Sequence, residues 1–143
     1  MHAPTITATY LAVLALIYTA LSVRVVGMRR GNRIGFGDGG NAALRAAIRA
    51  HAHFAEYVPI IILMLGALEL IGTRTVQLHM LLGTLVVSRI LHPFGLAAKP
   101  GSAQFFVGRV LGMTLTLFVM VTSALLLLQR TWTLPVSLSL GNS

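Results

Sequence analysis

The sequence contains no cysteine, which excludes disulfide bonds, a cysteine nucleophile and any metal site built on thiolates. Any thiol chemistry therefore has to use a thiol supplied by a substrate. Charged residues are also scarce, at 10% of the chain, whereas a soluble domain carries about 25%. Only 3 residues are acidic, so the net charge is +8. Because the basic residues are not interleaved with aromatic ones, a nucleic-acid partner is not expected.

Apolar runs dominate the chain: 56% of the residues are hydrophobic and the mean hydropathy is +0.84. Each run is long enough to cross a hydrocarbon core, which takes about 20 residues. We predict an all-α integral membrane protein with a single domain over residues 1–143. Its four-transmembrane-helix bundle has predicted helices at about 5–26, 41–71, 75–94 and 105–129. The first run is expected to be a retained helix, because no Lys or Arg precedes it as in a signal peptide.

The loops differ in charge, which predicts the orientation in the membrane. Basic residues occupy or border the first and third loops: Arg24, Arg29, Arg30, Arg33, Arg45, Lys99 and Arg109. The other side carries only Arg74 and Arg130. The positive-inside rule therefore places both termini outside and loops one and three in the cytoplasm. Residues 24–41 are predicted to be loop, with a tight Gly-Asp-Gly-Gly turn at 37–40, and Pro93 is expected to end the third helix.

One face of the second helix carries ionisable side chains at membrane depth. At about 100° per residue, Arg45, Arg49, His53 and Glu56 fall within roughly 80° of each other, and His51 lies nearly opposite. Such a face cannot point into lipid, so it predicts a functional site. With the predicted orientation, the end of the third helix and the start of the fourth reach the same depth. The residues gathered there are Arg24, Arg49, His53, Glu56, Arg89, His92 and Arg109.

Several cations surround a single acid in this cluster, so a ligand with more than one carboxylate would complete it. Guanidinium groups match carboxylates with two hydrogen bonds each. An arginine beside a bound thiol would favour the thiolate. The helices around the cluster would offer an apolar neighbour for a lipophilic co-substrate.

Each residue also has a purely structural interpretation. Arg49 and Glu56 form an interhelical ion pair in that interpretation. Headgroup or helix-end anchoring would explain Arg45 and Arg89. His51 would be a packing residue, and Glu69 and His79 would lie at the outer interface. A metal site on His53 and His92 is not expected, because the arginines repel a cation.

Residues 49–59, Arg-Ala-His-Ala-His-Phe-Ala-Glu-Tyr-Val-Pro, resemble the Arg-Ala-His-x-Asn-x-x-Glu-x-x-Pro signature of the MAPEG family, the membrane-associated proteins in eicosanoid and glutathione metabolism. Arg89-Ile-Leu-His92 resembles that family's Arg-x-x-His on the third helix. Arg109 resembles its arginine early on the fourth helix, and Arg24 resembles one just after the first. The resemblance covers roughly residues 6–128, and the short loops are similar to those of the small bacterial branch.

The resemblance implies four-helix subunits assembled as homotrimers in a bacterial inner membrane. It implies glutathione as co-substrate, bound between subunits by Arg49 and Glu56, with Arg24 contributed by a neighbouring subunit. His53, Arg89 and His92 would line that site, and Arg109 would be the catalytic residue that stabilises the thiolate. The implied activity is that of a membrane-bound glutathione-dependent transferase or peroxidase acting on lipophilic electrophiles.

Three positions depart from the family pattern. His53 replaces the asparagine of the signature, and Leu96 and Met113 stand where some members carry tyrosines that contact glutathione. These departures favour an alternative function, a non-catalytic glutathione- or lipid-binding membrane scaffold of the same fold. A transporter or channel that attracts anions is a further alternative, but the chain shows no inverted repeat.

Overall fold

The computed structural model describes residues 3–96, 98 and 101–133, which form four long helices. Helix α1 spans Thr5–Gly31, α2 spans Ala42–Leu70 and α3 spans Thr75–Leu96. Helix α4 begins as the turn Ala103–Phe105, passes through a π-helical segment, Phe106–Leu111, and continues as Gly112–Thr133. All four are long and apolar enough to cross a membrane, which confirms the predicted all-α membrane class. Lys99, predicted to lie in the third loop, falls outside the described residues.

Helices α2 and α3 form the centre of the bundle. Helix α1 packs against both of them, α4 also packs against both, and within the described residues α1 and α4 do not touch each other. The side chains at the centre are fully buried: Leu14, Ile61, Leu65, Leu68, Leu82, Leu85 and Val119. Large apolar side chains on the outer helices remain exposed, such as Leu16 and Leu125. In a membrane such surfaces face lipid or another subunit.

Helix α1 is longer than predicted. The sequence predicts loop from residue 24, but the helix continues to Gly31. A Cβ added at Gly27 would meet open space, so no close contact requires glycine there. Its low helix propensity lowers the stability of the helix by about 1 kcal/mol relative to alanine. Arg29 and Arg30 lie in the last turn, where cations interact favourably with the helix dipole. The loop prediction is therefore wrong for residues 24–31.

The end of α1 places an arginine in the left-handed backbone region that favours glycine. Arg33 has φ 55°, and the N–H of Ile34 donates to the Arg29 carbonyl at 3.0 Å. This bond satisfies one of the free carbonyls of the last helical turn. A non-glycine residue in this conformation costs about 1–2 kcal/mol, so the cap stores local backbone strain at Arg33.

The tight turn predicted at residues 37–40 is confirmed. Gly37, Gly39 and Gly40 all have positive φ, and the Asp38 carboxylate accepts the Gly40 N–H at 2.9 Å. Asp38 also forms an ion pair with Arg45 on the first turn of α2. The guanidinium of Arg45 and the Gly40 N–H hold the pKa of the Asp38 carboxyl below its ordinary value. Arg45 thus joins the loop to α2, whereas its structural interpretation from the sequence was that of a headgroup anchor.

Both prolines of the transmembrane region lie inside helices. Pro59 is within α2, and α3 continues through Pro93 to Leu96, so the prediction that Pro93 ends the third helix is wrong. Proline lacks an N–H, which removes one hydrogen bond from the helix. At Pro93 the loss falls in the last turn, where few residues follow. There the packing of α3 against α4 continues and outweighs the local preference.

Glu69 holds the start of α1, although the sequence interpretation placed it at the outer interface as a snorkelling residue. Its two carboxylate oxygens accept the N–H groups of Ile6 at 2.8 Å and Thr7 at 2.7 Å. These donors lie in the first turn of α1, where backbone N–H groups have no intrahelical partner. An anion at this position also interacts favourably with the helix dipole. Glu69 therefore has a structural role as a helix cap, and its position at the outer interface stays a prediction.

Helices α3 and α4 approach each other backbone to backbone. A Cβ added to Gly108 would overlap the backbone N and Cα of Gly95, and one added to Gly95 would overlap the backbone of Gly108 and Arg109. One turn further, a Cβ on Gly112 would lie 3.3 Å from His92 Cα. Small residues at four-residue spacing let transmembrane helices pack this closely. This contact determines how Arg109 sits relative to α3.

Candidate functional site

Two histidines on neighbouring helices form the centre of the candidate site. His53 Nδ1 on α2 lies 2.8 Å from His92 Nε2 on α3, a hydrogen-bond distance, and the ring centroids are 5.1 Å apart. His92 is buried and His53 is half-buried. The Tyr57 ring meets His53 edge-on one turn along α2. Both histidines were predicted to line the site, and the structure brings them into direct contact.

Arg89 points into the interface between α3 and α4 and is only 2% exposed. Its guanidinium hydrogen-bonds to Thr116 Oγ1, and its Nε donates to Ser88 Oγ at 3.3 Å. No carboxylate pairs with it among the described residues. The interpretation of Arg89 as a headgroup anchor is therefore wrong. A buried cation without an acid is costly, so its position indicates a role other than stability.

Four of the predicted charged residues lie on helical turns next to the two histidines. They are Arg49, Glu56, Arg89 and Arg109. Arg49 and Glu56 stand one turn to either side of His53 on α2, and Arg89 precedes His92 by one turn on α3. Arg109 lies on the π-helical segment, whose backbone meets α3 at Gly95, one turn after His92. The structure thus brings these residues together within one chain. Three of them, Arg49, Glu56 and Arg109, are exposed at the surface of the chain.

The exposed charges have few partners of their own. Arg109 Cζ lies 5.2 Å from the centroid of the Phe105 ring, a cation–π contact. Within the part of the chain that the structure describes, Glu56 and Arg49 form no ion pair, so the structural ion pair weighed for them is not found. Their charged groups are therefore available to a ligand or to another subunit.

Arg109 lies on an irregular part of its helix. The π-helical segment Phe106–Leu111 forms one turn that is wider than an α-helical turn. Arg109 therefore points in a different direction from the one it would have in a regular α-helix. Such segments are rare and occur often at functional sites. The sequence did not predict this segment, although glycines at four-residue spacing, Gly108 and Gly112, were a visible signal of close helix packing.

Arg24 stands apart from this group. It is exposed on α1 and is not among the charges that act on His53 or His92. Leu96, one of the two positions where the family carries tyrosine, packs against the hydrophobic core, and Met113, the other, is half-buried. The predicted contribution of Arg24 to a site on a neighbouring subunit stays a prediction.

A basic cavity adjoins the cluster at the start of α2. It has a volume of about 320 Å³, and its lining includes Arg29, Arg45 and Arg49 together with the exposed Phe36. Arg29 also donates to the Gly35 carbonyl at 3.0 Å. Sequence reasoning assigned Arg29 only to loop charge, because its helix was expected to end before it. Asp38 also lines the cavity and pairs with Arg45, so the cation that the cavity adds to the predicted site without an acid beside it is Arg29.

Two further histidines, His51 and His79, pack against α1. His51 stacks on Tyr18 with a centroid distance of 4.6 Å, and its Nε2 lies 3.0 Å from Ser22 Oγ. This confirms His51 as a packing residue. His79 Nδ1 lies 3.1 Å from the Tyr10 hydroxyl. Among the described residues, no group of three or more potential metal ligands comes together.

An apolar groove lies between α1 and α2, on the other side of α2 from the charges. It has a volume of about 310 Å³ and is lined by side chains that include Leu11, Tyr18, Phe54 and Val58. At about 100° per residue, Val58 and Ile62 point away from His53 and Glu56. Within one chain the groove is therefore not continuous with the cationic cluster.

Comparison with known proteins identifies a family and two relatives. The profile described as the MAPEG family matches residues 7–129. The chain is 34% identical over 90 residues to the "Inner membrane protein YecN" of Escherichia coli strain K12, a match that covers 63% of this chain and 69% of that protein. The protein of the same name from strain O6:H1 matches equally. No solved structure matches the chain. This relative and the four spans confirm the predicted inner-membrane location.

Proposed function

Because this chain belongs to the MAPEG family, we propose that it is a membrane-bound glutathione-dependent transferase or peroxidase that acts on lipophilic electrophiles. The observation that carries the proposal is the position of three arginines, Arg49, Arg89 and Arg109, on the turns next to the bonded His53 and His92, with Glu56 as the acid among them. Such a charge balance suits a ligand with several negative groups. Glutathione has two carboxylates and an ionisable thiol.

The residues have distinct roles in this proposal. Arg49, together with the basic cavity beside it, binds the carboxylates, because guanidinium groups form paired hydrogen bonds with them. Glu56 accepts hydrogen bonds from the α-ammonium of glutathione. Arg109 lies beside the thiol and stabilises the thiolate, which is the nucleophile. The thiolate sulfur then bonds to the electrophilic atom of the second substrate, and the leaving group departs with its electron pair.

We propose that the site is completed by another copy of the chain in a homotrimer. Arg49, Glu56 and Arg109 are exposed at the surface of a single chain, and Arg24 lies away from them. Charged groups at membrane depth need protein or water around them. A neighbouring subunit that covers this surface would enclose the ligand and bring an Arg24 to it. The second substrate would enter from the bilayer at that interface.

A non-catalytic scaffold is the second candidate, and one observation favours it. Two residues predicted to contact glutathione are already engaged inside the chain, since Arg89 bonds to Thr116 and His92 bonds to His53. In that case glutathione or an anionic lipid binds, but no product forms. Binding and turnover therefore have to be measured separately.

The test is isothermal titration of glutathione into the protein purified in detergent. We expect saturable binding that is lost in the double variant Arg49→Ala, Arg109→Ala. The matched control is Arg74→Ala, which removes an exposed arginine from the loop between α2 and α3 and should leave binding unchanged. If native protein and double variant bind alike, the cationic cluster is not the site.

Turnover separates the enzyme from the scaffold. The activity is measured with 1-chloro-2,4-dinitrobenzene for conjugation and with cumene hydroperoxide for peroxide reduction. Loss of Arg109 should lower the rate by about 10²-fold, the effect of removing one group that stabilises a developing anion. Glutathione binding without conjugation or peroxide reduction would support the scaffold instead.

A further inference from the structure

The hydrogen bond between His53 and His92 is a feature that the family signature, with asparagine at position 53, does not have. The two nitrogens are 2.8 Å apart, so one of them donates a proton and the other accepts it. The bond therefore determines which nitrogen of each ring carries hydrogen. That choice decides what the free nitrogen of the half-buried His53 can do.

The direction of the bond decides which nitrogen of His53 can accept a proton. If His53 Nδ1 donates to His92 Nε2, then His53 Nε2 keeps its lone pair, and in the opposite direction that nitrogen carries the hydrogen. His92 Nδ1 is buried without a hydrogen-bond partner among the described residues, so the bond to His53 is the polar contact that orients the His92 ring. His53 Nε2 lies outside this bond and is the nitrogen left for a ligand.

We infer that His53 Nε2 is the proton acceptor for the thiol of the bound substrate, and that His92 is the positioning residue that holds His53 in the required tautomer. The inference rests on the proposed function and extends it. In this step the S–H bond breaks, its electron pair stays on sulfur, and the proton moves to His53 Nε2. Arginine cannot do this, because guanidinium has no acceptor site.

The charges around His53 make this transfer specific to a substrate. Arg49 and Glu56 stand one turn to either side of His53 on α2, so an imidazolium there would have a like charge on one side and an opposite charge on the other. With a hydrogen on Nδ1 only, the His53 ring is neutral and can accept one proton on Nε2. When a thiol gives up its proton, the new thiolate compensates the new imidazolium. Arg109 then stabilises the sulfur anion on its other side.

The test counts protons during binding. Glutathione and S-methylglutathione, which has no thiol, are titrated calorimetrically in two buffers of different ionisation enthalpy at neutral pH. Ultraviolet absorbance reports the thiolate. For the native protein we expect thiolate absorbance with equal proton release for the two peptides, because His53 keeps the thiol proton. For His53→Asn we expect the thiolate to disappear, or roughly one additional proton per glutathione to enter the buffer.

Two variants of His92 test the positioning role. His92→Gln offers an amide oxygen that can still accept from His53 Nδ1, so the thiolate should persist. His92→Phe offers no acceptor, so thiolate absorbance at neutral pH should fall while S-methylglutathione still binds. A residue needed only for packing would give equal thiolate in both variants. Affinity for S-methylglutathione shows that each variant remains folded.

Each outcome separates the inference from the proposed function. Thiolate formation in the native protein with one full proton released to buffer overturns the role of His53 and leaves the proposed function standing. An unchanged proton count and thiolate signal in His53→Asn does the same. Failure of the native protein to bind either peptide overturns the proposed function, and the inference with it.

Discussion

The close contact between α3 and α4 allows a quantitative prediction for Gly108→Ala. The added Cβ would overlap the backbone N and Cα of Gly95, and neither atom can rotate away. The helices would have to separate by more than 1 Å, because these atoms would lie 2.2 and 2.3 Å from the Cβ and ordinary contact begins at 3.4 Å. Overpacking of this kind costs about 1–3 kcal/mol. Separation would also weaken the hydrogen bond from Arg89 to Thr116, and bonds to charged groups contribute about 1.5–3 kcal/mol.

A gain in helix propensity opposes part of this loss. Replacing glycine by alanine inside a helix is favourable by about 1 kcal/mol. The net effect of Gly108→Ala should therefore be a loss of roughly 2–4 kcal/mol in the free energy of unfolding. Arg109 follows Gly108 directly, so the same variant should also weaken glutathione binding.

Two matched glycines calibrate the measurement. Gly27 lies inside α1 with nothing within 4 Å of an added Cβ, so Gly27→Ala should stabilise by about 0.5–1 kcal/mol. At Gly112 the nearest atoms are 3.3 Å away, so Gly112→Ala should lie between the other two. The assay is unfolding in mixed micelles of increasing dodecyl sulfate fraction, followed by circular dichroism. Equal stability of Gly108→Ala and Gly27→Ala would refute the close packing of α3 and α4.

The remaining predictions concern single side chains. Glu69→Gln should lower the free energy of unfolding by about 1–2 kcal/mol, because a neutral amide replaces the carboxylate that caps α1. Arg33→Gly should raise it by about 1 kcal/mol, because glycine adopts the positive φ without strain; no gain would show that the cap is unstrained. Arg89→Met should change stability by less than about 1 kcal/mol, because the lost bond to Thr116 and the relieved burial of an unpaired cation oppose each other, and a strongly destabilised variant would make Arg89 a structural residue. The pKa of Asp38 in the folded chain is lower than its ordinary value of 3.8. The bond from Arg45 to the Asp38 carboxylate therefore stabilises the fold at pH values above 3.8, and this stabilisation is lost as the pH falls through the lowered pKa. The measurement is hydrogen exchange of the loop amides at acidic pH. Their protection should fall with pH in the native protein and should not depend on pH in Asp38→Asn.

The sequence by itself determined the class of the protein. Runs of apolar residues long enough to cross a bilayer predict membrane helices, because lipid offers no partner for an unsatisfied backbone group. Helical periodicity put Arg49, His53 and Glu56 on one face, and charge asymmetry between the loops brought Arg89 and Arg109 to the same level. These inferences depend on spacing along the chain, which is local, and the structure brings these residues together next to His53 and His92.

Only the tertiary structure decided what each of these side chains touches. The rotation of α3 about its axis buries Arg89 against Thr116 and turns His92 to His53, and no spacing within one helix specifies that rotation. The glycine contact at Gly95 sets the distance between α3 and α4, because backbone atoms meet there. Glu69 was predicted only to lie at the outer interface, and the structure shows that it caps a helix more than 60 residues earlier in the chain. Such contacts join distant segments, so they follow from packing of the whole bundle and not from local pattern.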